Sequence, residues 1–179
     1  MKPLISVIIP TYNCASTIET AISSMLQQTY ENIEIIVVDD NSTDETEAIT
    51  RNMARQYPRV SYYRLPFDDP HRFNRAGRNI NAGYMARNYG FEKARGEWIT
   101  FQDADDASLL NRLEIQHELA ERHQVLHVIT DWQELNEHNI DTLLDAERFM
   151  KNGHAPFLDR KSTRLNSSHI QKSRMPSSA

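Results

Sequence analysis

The sequence predicts an α/β domain with a mainly parallel sheet and helices on both faces. Three observations predict it. Short β-branched apolar runs alternate with helix-type patterns along most of the chain. Three of these runs end abruptly in polar residues: Pro10-Thr11-Tyr12-Asn13, Asp39-Asp40 and Asp103 to Asp106. A length of 179 residues, 39% hydrophobic and 25% charged, suits one domain with its own core.

Leu4 to Ile9 (LISVII) is a β-branched run stopped by Pro10, which reads as a buried strand. Ser16-Thr17-Ile18-Glu19 has the form of a capping box, and Ile18, Ala21, Ile22, Met25 and Leu26 then share one helical face. Ile33 to Val38 is a second buried strand. Ser42-Thr43-Asp44-Glu45 is another capping box, opening a helix to about Tyr57, before Pro58. Val60 to Arg64 reads as a strand, Pro66 to Gly77 as loop, and 79–94 as helix. Gly96 separates that helix from a strand at Trp98 to Phe101. A helix over 109–123, a strand over 125–129 and a weaker helix over 140–150 complete the pattern.

The formal net charge is −5, but it is unevenly spread. Residues 160–179 hold five basic residues and no acidic ones, so the remainder has 15 basic against 25 acidic. A body that acidic repels a phosphate backbone, so no nucleic-acid partner is expected. The single cysteine, Cys14, excludes an internal disulfide and fits a reducing compartment. No apolar stretch approaches a membrane span. The N-terminal run ends in a proline without a cleavage-like segment, so it reads as a strand and not a signal peptide. A cytoplasmic location, at most peripheral to the inner face of a membrane, is expected. Residues 159–179 lack hydrophobic period, strand alternation and caps. They resemble the conceptual translation of a sequencing-library adapter. Residues 159–179 are therefore expected to be a non-native disordered tail, and residues 1–158 the functional part, cut near Leu158.

In a parallel sheet, ligands gather at the carboxyl ends of the strands. The three polar segments all fall at that edge, so they are expected to line one crevice. Carboxylates massed there repel one another unless a cation or a donor-rich ligand lies among them. Asp103-Ala104-Asp105 offers hard oxygen donors suited to Mg²⁺ or Mn²⁺, ions that also take oxygens from a diphosphate. At least one of Asp39 and Asp40 can orient the turn into the next helix, while the other accepts a ligand N–H. Tyr12 either stacks on a nucleobase or packs the sheet rim. Arg78 and Arg87 carry the guanidinium fork that matches phosphate oxygens.

SVIIPTYN, QTYENIEIIVVDDNSTDET and ARNYGFEKARGEWITFQDADD, in that order, resemble glycosyltransferase family 2, over about Leu4 to Leu113. The resemblance implies the A-type nucleotide-sugar fold, incomplete at the C-terminus. It implies metal-dependent, inverting transfer of a sugar from a nucleoside-diphosphate donor to an acceptor hydroxyl. Uridine is the commonest donor base of the family; the acceptor (glycan, lipid-linked or other) is open. On this resemblance Pro10, Thr11 and Tyr12 border the base, and Asp40, with Asp39 as its alternate, reads it. Asp103 lies near the ribose and takes part with Asp105 in holding the metal; Arg87 sits near the diphosphate, with Arg78 a second candidate. The segment Phe67 to Gly83 is longer and more basic than the family's loop. The catalytic base belongs to a downstream half with no match before Leu158, so it stays unknown. The alternative is a non-catalytic nucleotide-sugar-binding fragment. A phosphoacceptor signalling domain is disfavoured because a whole strand–helix unit precedes Asp39. A dinucleotide oxidoreductase is disfavoured because no glycine-rich turn follows the first strand.

Overall fold

The computed structural model describes residues 2–68, 72–73, 77, 83–129 and 169–172, the last four by backbone alone. The elements run β1 (Ile5–Thr11), α1 (Ile18–Leu26), β2 (Ile33–Asp39), α2 (Thr46–Gln56), β3 (Val60–Arg64), α3 (Tyr84–Lys93), β4 (Trp98–Phe101), α4 (Arg112–His123), β5 (His127–Ile129) and β6 (His169–Lys172). They form a sheet of order β3-β2-β1-β4-β6-β5. β1 pairs in parallel with β2 and β4, and β2 with β3. β6 runs antiparallel to both β4 and β5.

Why both faces are covered follows from the strand pattern. β1 and β2 are apolar at nearly every position, and all seven residues of each are buried. Side chains alternate across a sheet with a period of two. Ile5, Val7 and Ile9 of β1 and Ile33, Ile35 and Val37 of β2 therefore join one core with Ile18, Ile22 and Met25 of α1, Met53 of α2 and Leu113 of α4. Ile8, Ile36 and Val38 join the other with Ala86 of α3, Ala94 and Ile99. Each fully buried large aliphatic side chain is worth about 1.5–3 kcal/mol, more than any single cap. Gly90 lets α3 lie close to the sheet: a Cβ there would come within 2.5 Å of Ile8 Cγ2.

Several expectations change in detail. Neither capping box forms. α1 is capped by no side chain, and the Thr17 and Ile18 amides donate to the Cys14 carbonyl instead. At α2 the Thr46 N–H goes to Asp44, while Ser42 is turned toward Asp39 at 2.6 Å. α4 begins at Arg112, not at 109. α3 is described from Tyr84; residues 79–82, and the expected helix over 140–150, lie outside the described residues. Within 159–179 four residues depart from the expected disorder: His169–Lys172 are the strand β6. A backbone slot between β4 and β5 outweighs the weak local signal there, because sheet pairing needs backbone groups and no particular side-chain pattern. Among the described residues, no helix is long and apolar enough to cross a membrane.

Candidate functional site

Two asparagines in the left-handed region shape the carboxyl edge of the sheet. Asn13 (φ 52°) follows β1 and Asn41 (φ 60°) follows β2, a conformation that asparagine tolerates better than most residues. The two turns are cross-tied. The Asn13 N–H donates to Ser42 Oγ at 2.9 Å, and the Thr43 N–H donates to Asn13 Oδ1 at 2.8 Å. Asp40 N–H donates to the Thr11 carbonyl at 2.8 Å.

The adjacent aspartates divide their work by strand alternation. Asp39 follows Ile35 and Val37 toward the α1/α2 face and is fully buried. Its Oδ1 accepts from Ser42 N–H at 2.8 Å and Ser42 Oγ at 2.6 Å, and its Oδ2 accepts from the Tyr62 hydroxyl at 2.8 Å. Burial, then this bond to Asp39, pushes the Tyr62 phenol well above its ordinary range. Asp39 is the turn-orienting member of the pair, with both oxygens engaged. Asp40 falls on the α3 side. Arg72 Nε donates to its Oδ2 at 2.8 Å and Arg72 Nη2 to its Oδ1 at 2.6 Å. Donating to Asp40 makes the guanidinium hold its proton more firmly than usual. Arg72 lies over the Tyr12 ring, 4.7 Å from its centroid, and Phe73 meets that ring edge-on at 6.0 Å. Tyr12 thus stands half-buried at the end of β1 and is not part of either core cluster.

Thr11 takes the opposite face. Its side chain is 3% exposed and alternates away from Pro10, and its hydroxyl has no hydrogen-bond partner. Its carbonyl accepts from the Asp40 N–H. Pro10 meets Gly83, the left-handed N-cap of α3 (φ 73°), where a Cβ would approach Pro10 Cβ to 2.9 Å and Arg87 Nη1 to 3.2 Å. Glycine is needed there on both counts. One turn on, Arg87 Nη2 donates to Asp103 Oδ1 at 2.5 Å, with both side chains about a quarter exposed. Two groups of contacts therefore stand at this edge, Asp40–Arg72–Tyr12 after β2 and β1, and Arg87–Asp103 between α3 and the loop after β4, with Pro10 and Gly83 close together.

The acidic loop after β4 is pinned from behind. Gln102 N–H donates to the Ile8 carbonyl at 3.0 Å. Ser108 joins Gln102 Oε1 at 2.5 Å and Ser24 Oγ at 3.1 Å. Gln28 of the α1 end donates to the Leu109 carbonyl and accepts from Leu113 N–H. Asp103 is half-buried, and Asp105 and Asp106 are exposed. Among the described residues, no three His, Cys, Asp or Glu side chains converge as a metal cage. Two carboxylates with open oxygens fit a hard cation that draws its remaining ligands from water or a diphosphate. Of the residues expected at the site, the structure joins Pro10, Tyr12, Asp40, Arg87 and Asp103, with Asp105 two residues beyond on the same loop. It leaves Asp39 and the Thr11 side chain behind them, and Arg78 lies outside the described residues. Sequence reading missed Arg72. Its signal was an arginine–aromatic pair, Arg72-Phe73, in the basic segment between β3 and α3.

A mainly parallel sheet whose carboxyl edge carries an aromatic, carboxylates and arginines has the architecture of the A-type nucleotide-sugar transferase fold. The chain matches glycosyl transferase family 2 over residues 6–170 and belongs to that family. It is 40% identical over 115 residues to a glycosyltransferase of Haemophilus influenzae, covering 64% of this chain and 41% of that one. It is 31% identical over 137 residues to the Escherichia coli UDP-Glc:alpha-D-GlcNAc-diphosphoundecaprenol beta-1,3-glucosyltransferase WfgD, covering 76% of this chain and 49% of that one. Among solved structures, the Pyrobaculum calidifontis mannosyltransferase PcManGT, in complex with GDP-Man and Mn2+, superposes with a TM-score of 0.61 at 25% identity, covering 74% of this chain and 36% of that one. Staphylococcus aureus TarS 1-349 in complex with UDP has the same fold, with a TM-score of 0.65 at 22% identity over 94% of this chain and 46% of that one. The chain spans less than half the length of these relatives.

Proposed function

We propose that residues 1–158 are the donor-binding part of a glycosyltransferase that moves a sugar from a UDP-sugar to an acceptor hydroxyl. The observation that carries this reading is the pair of contact groups at the carboxyl ends of adjacent strands, Asp40 and Tyr12 about Arg72, and Arg87 with Asp103. It sets a base-sized aromatic and carboxylate at one end and a guanidinium beside carboxylates at the other. Tyr12 offers a π-face to the base, and Asp40 offers an acceptor for its N–H. Arg87 donates to the diphosphate and stabilises the charge that grows on it as the sugar leaves. Asp105 and Asp103 would hold Mg²⁺ or Mn²⁺. Such an ion, when bound, supplies further neutralisation of the diphosphate.

The names of relatives support the finer points. WfgD is named for a UDP-sugar donor and a diphosphoundecaprenol acceptor. A Campylobacter jejuni relative, 36% identical over 111 residues, is likewise named for an undecaprenol-linked acceptor. A lipid-linked glycan is therefore the acceptor we propose, with transfer by inversion and the protein peripheral to a membrane. Calorimetric titration with UDP, with and without Mn²⁺, tests the donor site. Binding should need the metal and fall at least about ten-fold in Asp105→Ala, the loss expected when one of few protein ligands goes. UDP affinity indifferent to both changes would remove Asp105 from the role.

A further inference from the structure

Arg72 already makes the two contacts assigned above to the base. Its guanidinium lies 4.7 Å from the Tyr12 ring centroid and sends two N–H groups in its plane to the Asp40 carboxylate. A guanidinium is flat, π-delocalised and edged with donors, and a nucleobase bearing a ring N–H fits the same description. The pair is deep: the Arg72 and Asp40 side chains are 9% and 6% exposed. Phe73 stands beside it, 5.9 Å from the guanidinium.

We propose that Arg72 is an internal competitor for the nucleobase, so that a nucleotide takes Tyr12 and Asp40 only by displacing the guanidinium. The proposal rests on the donor reading above. Its consequence is that Arg72 sets donor affinity. While the guanidinium holds the aromatic face and both carboxylate oxygens, only the remaining fraction of molecules accepts a base. The apparent dissociation constant rises by the inverse of that fraction. A neutral base N–H is a weaker donor to Asp40 than a charged guanidinium. Diphosphate contacts at Arg87 must therefore help drive the exchange. A free nucleoside should compete poorly where the diphosphate succeeds.

The test is UDP titration by calorimetry, with Mn²⁺, of the native chain, Arg72→Ala and Arg72→Gln. Removing the competitor should tighten binding by about ten-fold. Equal or weaker binding in both variants overturns the proposal, and weaker binding would make Arg72 a contact of the bound nucleotide. In that case the donor reading stands. No binding of UDP by the native chain overturns the donor reading and this proposal together. A second readout needs no variant to fold well. The Arg72 Nε–H resonance, assigned by its loss in Arg72→Lys, should be protected from solvent exchange without UDP and lose that protection at saturation. Protection unchanged by UDP overturns displacement.

Discussion

Glu34→Ala gives a stability loss that can be worked out from the structure and checked. Glu34 lies on β2, and its Oε1 accepts from Ser6 Oγ at 2.6 Å and from the Arg95 N–H at 2.7 Å. Ser6 Oγ in turn accepts from Gly96 N–H at 2.8 Å, so one relay ties β1, β2 and the entry to β4. Ser6 is fully buried, so its hydroxyl is left in the core without its acceptor, while the Arg95 N–H is part-buried. A buried donor left without a partner costs about 1–3 kcal/mol and the part-buried one less, so the two together cost about 3 kcal/mol. Glu34→Gln keeps the accepting oxygen and loses only charge assistance, about 1 kcal/mol. The Arg95 guanidinium, 78% exposed, adds little to either figure. For a chain of this size the melting temperature should fall about 6–12 °C for Ala and about 2–4 °C for Gln. Calorimetric or circular-dichroism melts measure both. Equal losses in the two variants would refute the relay as the source of the stability.

The remaining predictions concern pH, packing and the site. Burial alone would raise the Glu34 carboxyl, but bonds from Ser6, the Arg95 amide and its guanidinium outweigh it and hold the group below its ordinary range. Its stabilising share is therefore full above about pH 4.3, the unfolded value. It is lost as pH falls through the lower folded value, and acid denaturation of Glu34→Gln should lack that increment. Gly96→Ala should cost about 2–3 kcal/mol, because its Cβ would meet Ser6 N at 2.6 Å and the Leu4 carbonyl at 2.8 Å, both immobile backbone; a urea midpoint like that of the native chain would contradict it. Arg112 is buried, its proton affinity lowered to a pKa of about 10 by burial against a raising effect of Asp106. Its described bonds are long, 3.3 Å to Thr100 Oγ1 and 3.4 Å to Met25 Sδ. Arg112→Met should stay within about 1 kcal/mol of native or gain stability; a loss above about 3 kcal/mol in denaturant would show that the charge is needed. Arg87→Ala should weaken UDP far more than uridine, and equal weakening of both would place Arg87 at the base.

Local pattern carried much of the fold. Continuous β-branched runs such as IEIIVVDD and SVIIP announce strands buried on both faces, and helix-period stretches between them announce the crossovers. That is why sheet class and the convergence of three polar strand ends could be read without coordinates. Caps were less legible: Ser16-Thr17-Ile18-Glu19 and Ser42-Thr43-Asp44-Glu45 both have the right letters, yet Cys14 and Asp44 take the helix-opening bonds. Ser42 was drawn off by Asp39, a competitor that only the folded turn brings near.

The same division holds at the site. Residue type named the aspartates, the tyrosine and Arg87, because carboxylates, π-faces and guanidinium groups each have few chemical uses at a strand end. The side of the sheet that faces the crevice was settled by the packing of α3 through Gly83 and Gly90, and this separates Asp40 from Asp39 and Pro10 from Thr11. Arg72 and Asp40 lie 32 residues apart, and β6 lies more than 60 residues beyond β4. Partners so distant in the chain are chosen by which surfaces the completed sheet brings together. Neighbouring residues impose no such choice, so only the tertiary structure could decide it.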